Sequence, residues 1–234
     1  MTTADAEKPM KRWLRLTCIA LVACAAGWFT MQMETLGGRM LTPYFGSAVY
    51  VVMGSVIGVF LLSLSVGYMV GGWISRRRDS QFILGGNLVA TGAWLATLPL
   101  VTEPVCERIF QMGLSARWGS LLAAFILFCP PTVLLGTVSP TLVGWLTTRA
   151  EDSGLNAGVV MAVSTMASFV GCVVTAFYLV LLSVRVTIWA SGGLLALLGG
   201  VILAHGYVKG RGTLSARVEK QVGVAAEPAE DEAV

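Results

Sequence analysis

The carboxylate of Glu34 and the guanidinium of Arg39 stand five residues apart in Met33-Glu34-Thr35-Leu36-Gly37-Gly38-Arg39-Met40-Leu41-Thr42-Pro43-Tyr44-Phe45-Gly46, between two strongly apolar stretches. A carboxylate beside a membrane cavity could attract a cation, and a carboxylate with a guanidinium could instead close a loop as a salt bridge. On a continuous helix, five residues turn about 500°, which sends the two side chains to different faces. Gly37-Gly38 between them is expected to break the helix and let the chain fold back, so that the pair can meet at the membrane boundary. Pro43 and Gly46 bracket Tyr44-Phe45, an aromatic pair suited to an interface.

Little else in the chain offers catalytic chemistry. The sole histidine is His205, and Cys18, Cys24, Cys106, Cys129 and Cys172 include no C-x-x-C. These residues suggest neither a metal site nor a disulfide framework. Without a useful histidine or a second facing carboxylate, no catalytic set can be assembled. An enzyme is therefore not expected, nor is a cofactor.

The elements that must carry Glu34 and Arg39 are membrane helices. Hydrophobic residues make up 56% of the 234 residues and charged residues only 12%, for a mean hydropathy of +0.76. A spanning helix needs about 20 mostly apolar residues. Six such runs occur, near Leu14–Met33, Ala48–Trp73, Phe82–Val101, Gly119–Thr141, Ala157–Leu182 and Val186–Tyr207. The chain reads as an all-α polytopic membrane protein. Residues 1–13 form an N-terminal segment, 14–207 the six-helix domain, and 208–234 a tail too polar and too rich in Gly, Ala, Glu and Pro to fold alone.

Basic residues set the expected orientation. Twelve of the sixteen Lys and Arg lie before the first span, after the second, after the fourth or after the sixth. Positive flanks resist translocation, which places both termini in the cytoplasm and the protein in the inner (plasma) membrane. The same clusters meet anionic lipid headgroups, so the lipid bilayer accounts for a net charge of +3 without nucleic acid. The first apolar run continues through Trp28, Phe29 and Met31, longer than the core of a cleaved signal peptide, and is read as a retained span.

Several spans carry small or helix-breaking residues. Gly54 and Gly58 form one row on the second span, and Ser63, Gly67 and Gly71 another. The fifth span carries Ser164, Ser168, Gly171 and Thr175 on one face. Such rows let helix backbones approach closely in lipid, while their hydroxyls could also line a path for a polar solute. Pro130-Pro131 removes two donors from the fourth span, and Ser139-Pro140 follows near its end. The carbonyls these prolines free need partners from neighbouring helices, hydroxyls or water. Tyr44, Tyr68, Pro130, Pro131, Ser139, Ser164 and Ser168 are the candidate cavity lining.

Taken together, these segments resemble the transmembrane spermidine-synthase-like proteins, also called fused major-facilitator/spermidine synthases. The run from Glu34 to Gly46 is similar to that family's E-x-x-x-x-R-x-L-x-P-Y-F-G signature. The stretches at Ser55–Leu62, Ser65–Gly72, Pro130–Pro140 and Ser164–Gly171 are similar to its later blocks. The resemblance covers about residues 14–207 and implies six helices arranged like half of a major facilitator. In fused members a cytosolic aminopropyltransferase-like domain follows, whereas the residues after Tyr207 are too few for one. The loop after the second span, Gly72-Trp73-Ile74-Ser75-Arg76-Arg77-Arg78, also lacks the acidic residue that major facilitators commonly carry there.

These features lead to an expected role as a non-catalytic membrane subunit. It would anchor, or pass a small metabolite to, a separate soluble aminopropyltransferase-like partner. The alternative is a transporter of a polyamine or another cation, built as a homodimer of six-helix halves.

Overall fold

In a computed structural model, the described backbone covers residues 9–46, 49–77, 80–147 and 153–225, with side chains described between 16 and 207. All regular structure there is helical. The helices are α1 (Pro9–Phe45), α2 (Val49–Ser75), α3 (Ser80–Gln111), α4 (Ala116–Gly136), α5 (Val138–Leu146), α6 (Ser153–Phe177) and α7 (Val184–Ala225). A 3-10 turn, Leu179–Leu181, precedes α7. Among the described residues six spans are long and apolar enough to cross a membrane, with α4 and α5 together making the fourth.

Without water in the hydrocarbon, a chain satisfies its own amides by staying helical, and this extends most spans past their apolar limits. α1 does not stop at Met33 but runs through Gly37-Gly38 to Phe45. The expected break at the diglycine is therefore replaced by unbroken helix. α3 likewise passes both Pro99 and Pro104 before ending at Gln111. The backbone of α7 continues beyond Tyr207 to Ala225, whereas 226–234, the acidic end of the expected tail, lies outside the described residues. Of the basic flanks, Lys8, Arg78 and Arg149 also lie outside them.

The six spans pack chiefly as three pairs, α1 with α6, α2 with α4, and α3 with α7. Each pair has a seam of small residues. Along α2 and α4, Ser55 and Ser120 hydroxyls lie 3.0 Å apart, and the Phe60 and Phe128 ring centres 5.8 Å apart. Gly67 then meets the backbone of Gly136, and Gly71 that of Thr137. Residue numbers rise together, so this pair runs parallel. The α1–α6 pair is also parallel: Gly27 faces Ser164 and Ser168, Trp28 faces Gly171, and Thr35 lies by Cys172. In the antiparallel α3–α7 pair, Gly85 faces Gly199 and Gly92 faces Gly192. Exchanging the first three spans for the last three maps the first two pairs onto each other and the third onto itself. A single buried cluster, with Phe60, Phe128, Leu36, Leu41 and Leu95 fully enclosed, joins the pairs.

Candidate functional site

The unbroken α1 relocates the charged residues. Glu34 lies within α1, eleven residues before its end, about 16 Å along the axis. It is thus a helix residue inside a candidate membrane span rather than a loop residue, and it is partly buried. Arg39 is exposed, about 9 Å below the same helix end. With the helix intact the two point about 140° apart, and among the described residues no ion pair or hydrogen bond holds either side chain. The expectation that the diglycine folds them together is corrected accordingly. An acidic group within an apolar span, with no partner among the described residues, marks a face suited to water, a solute or protein.

Several other polar groups are satisfied by the fold. Pro131 lacks the N–H that would reach the Leu127 carbonyl one turn earlier, and the Trp94 indole of α3 donates to that carbonyl instead at 2.9 Å. α4 therefore continues through Pro130-Pro131, and the hydrogen-bond ladder of the fourth span is interrupted at Thr137, which keeps helical dihedrals (φ −68°, ψ −19°). Pro140 explains the position, because its ring removes the hydrogen bond to Gly136 and crowds that carbonyl. At the interruption, Asn87 Nδ2 donates to Thr137 Oγ1 at 2.9 Å, and the Thr137 and Thr141 hydroxyls donate to the Leu134 and Thr137 carbonyls at 2.7 Å each. Elsewhere the buried Ser191 hydroxyl shares its one proton between the Thr187 carbonyl at 2.8 Å and Gln32 Oε1 at 3.0 Å, the latter contact tying α7 to α1. The hydroxyls of Ser63, Thr132 and Thr175 are buried without a hydrogen-bond partner.

Tyr44 borders a polar pocket of about 470 Å³ formed with Thr42, Phe45, Gly46, Phe110 and Ala116. Tyr68 is exposed on α2, Pro130 is partly buried, Pro131 is buried, and Ser139 is partly buried in the first turn of α5. Ser164 and Ser168 sit in the α1–α6 seam, where the Ser168 hydroxyl donates to the Ser164 carbonyl at 2.9 Å. None of these six borders the Tyr44 pocket or the apolar groove between α2 and α4.

The glycine rows divide in two. Gly67, Gly71 and Gly171 are buried where a partner backbone passes too closely for a side chain. Gly54 and Gly58 instead face open space, with no atom within 4 Å of where a Cβ would stand. Sequence reasoning missed the seams at Gly27, Gly85–Gly199 and Gly92–Gly192. For the last two a signal existed: Gly85 and Gly92 are seven apart, as are Gly192 and Gly199, and seven residues return a helix to the same face.

Among the described residues no group of three or more His, Cys, Asp or Glu could hold a metal. Compared with known proteins, the chain matches no family model, no curated protein and no solved structure.

Proposed function

We propose that this chain is a non-catalytic six-helix membrane subunit whose working face is the Glu34 side of α1. It presents a small cationic metabolite, of the polyamine class, to a separate aminopropyltransferase-like enzyme. The observation that carries this reading is the Glu34 carboxylate, partly buried within the helix of the first span and without a partner among the described residues. Such a group suits a cation or an aqueous path better than lipid. The three-and-three exchange in the helix pairing supports a half-facilitator arrangement, since facilitator halves are built from inverted three-helix repeats. The sequence resemblance supplies the substrate class, and the basic flanks support cytoplasmic termini and an inner-membrane location.

The interrupted hydrogen-bond ladder at Thr137 favours a second reading, transport by a homodimer, because weakened points in a span can serve as hinges beside a transporter site. Gentle purification of the tagged chain from native membranes, followed by mass spectrometry, separates the two. A stoichiometric soluble aminopropyltransferase-like protein is the expected result. Recovery of the chain alone as a dimer, with polyamine flux in proteoliposomes that is lost in Glu34→Gln, assigns the transporter instead. Neither a partner nor flux would overturn both.

A further inference from the structure

In a membrane helix, a serine or threonine can satisfy its hydroxyl on the carbonyl one turn earlier in the same helix. Thr30, Thr42, Ser55, Thr91, Thr102 and Ser168 all do so, at 2.7–2.9 Å. Ser63 on α2 and Thr132 on α4 do not. Both residues are fully enclosed, at 0% exposure, and neither hydroxyl has a hydrogen-bond partner. A buried hydroxyl left unpaired is destabilising, and two of them in one seam call for a partner.

The packing sets these two side chains opposite each other. α2 and α4 run parallel, and their backbones press together where a Cβ on Gly67 would fall 2.8 Å from the Gly136 Cα. Ser63 and Thr132 each stand four residues before one of those glycines, one turn back on the same faces. On the far side of them, Phe60 and Phe128 close the seam with ring centres 5.8 Å apart. The two hydroxyls therefore share one level of the seam, between the enclosed rings and the glycine crossing. They do not bond each other.

We infer that this level of the seam binds one water molecule, which bridges Ser63 Oγ and Thr132 Oγ1 and so links α2 to α4. Each hydroxyl offers a proton and lone pairs, and a buried water needs about two to four polar partners. An ion would bring a charge that Phe60, Phe128, Gly67 and Gly136 have nothing to balance. An acyl chain would leave both hydroxyls unpaired. Water alone among these suits a sealed, neutral place with two hydroxyls facing each other.

X-ray radiolytic footprinting of the full chain in mild detergent tests the site, because a bound water yields hydroxyl radicals in place. Phe60 and Phe128 are 0% and 1% exposed, beyond the reach of bulk radicals, so their oxidation reports an internal water. The expected result is oxidation of at least one of these rings in the unchanged protein and its loss in both Ser63→Ala and Thr132→Val. Each variant should also shift the unfolding equilibrium about fivefold toward the unfolded state, the net contribution of one hydrogen bond. Unoxidised rings in the unchanged protein would overturn the proposal. With variants that are then less stable, the hydroxyls bond each other directly; with variants equally or more stable, they are simply unpaired. Oxidation that persists in both variants would overturn it too, since the radicals would come from elsewhere.

Discussion

Replacing Trp94 by Phe removes one hydrogen-bond donor while keeping an aromatic ring. The lost donor serves the Leu127 carbonyl, which Pro131 cannot serve because its nitrogen carries no hydrogen. An acceptor left unpaired in a protein interior costs about 1–3 kcal/mol, while side-chain hydrogen bonds in membrane bundles average about 0.6 and reach about 1.7. Trp94 is 38% exposed, so the smaller ring forfeits limited packing. A loss near 1 kcal/mol is expected for Trp94→Phe. The cause is isolated by repeating the change in a Pro131→Ala background, where the alanine supplies the missing N–H and Leu127 no longer depends on the indole. There the cost should fall to a few tenths of a kcal/mol, a coupling of roughly 0.5–1.5 kcal/mol within the range found for residues sharing one network. Reversible unfolding in mixed micelles, followed by circular dichroism, gives all four corners of the cycle. Equal costs in both backgrounds would refute the claim that the indole replaces the amide missing at Pro131.

Two further contrasts follow from the packing. Gly67→Ala places its methyl 2.5 Å from the Val133 carbonyl oxygen and 2.8 Å from the Gly136 Cα, and should lose about 1–3 kcal/mol in the same unfolding assay. Gly54→Ala, facing open space, should instead gain up to about 1 kcal/mol from helix propensity. Ser191→Ala should cost about 1 kcal/mol by leaving Gln32 without its donor, while Ser191→Ala combined with Gln32→Leu should recover most of that loss. Equal stability of the single and double variants would show that this pair does not tie α7 to α1.

The number and approximate place of the six spans were legible because a bilayer demands long apolar runs, and few other constraints produce them. Their ends were less so. Glu34, Gly37-Gly38 and Arg39 read as the start of a loop by propensities learned from water. In hydrocarbon an opened turn would strand its amides, so α1 continues and takes Glu34 with it. At Pro130-Pro131 the sequence marked a local hydrogen-bond defect, but its repair by Trp94, thirty-three residues away from Leu127, is a tertiary fact. The interruption of the ladder falls at Thr137, because Pro140 acts one turn upstream of itself. Glycine spacing revealed faces able to pack, as at Gly67 and Gly71. It could not separate these from the open face at Gly54 and Gly58, since that depends on which neighbour arrives.

The pairing of the spans also imposes a timetable on synthesis. No principal seam joins consecutive spans, so each helix enters the membrane before its chief partner exists. The α2–α4 seam can close first. Trp28, by contrast, waits for Gly171, 143 residues further along, or about 7–30 s at 5–20 residues per second. During that interval the first span must be held by lipid or by the insertion machinery with its carboxylate already in place. A ribosome stalled after α5 would release a chain whose α1 and α3 have no mates. Such intermediates, rather than the finished bundle, are where quality control would meet this protein.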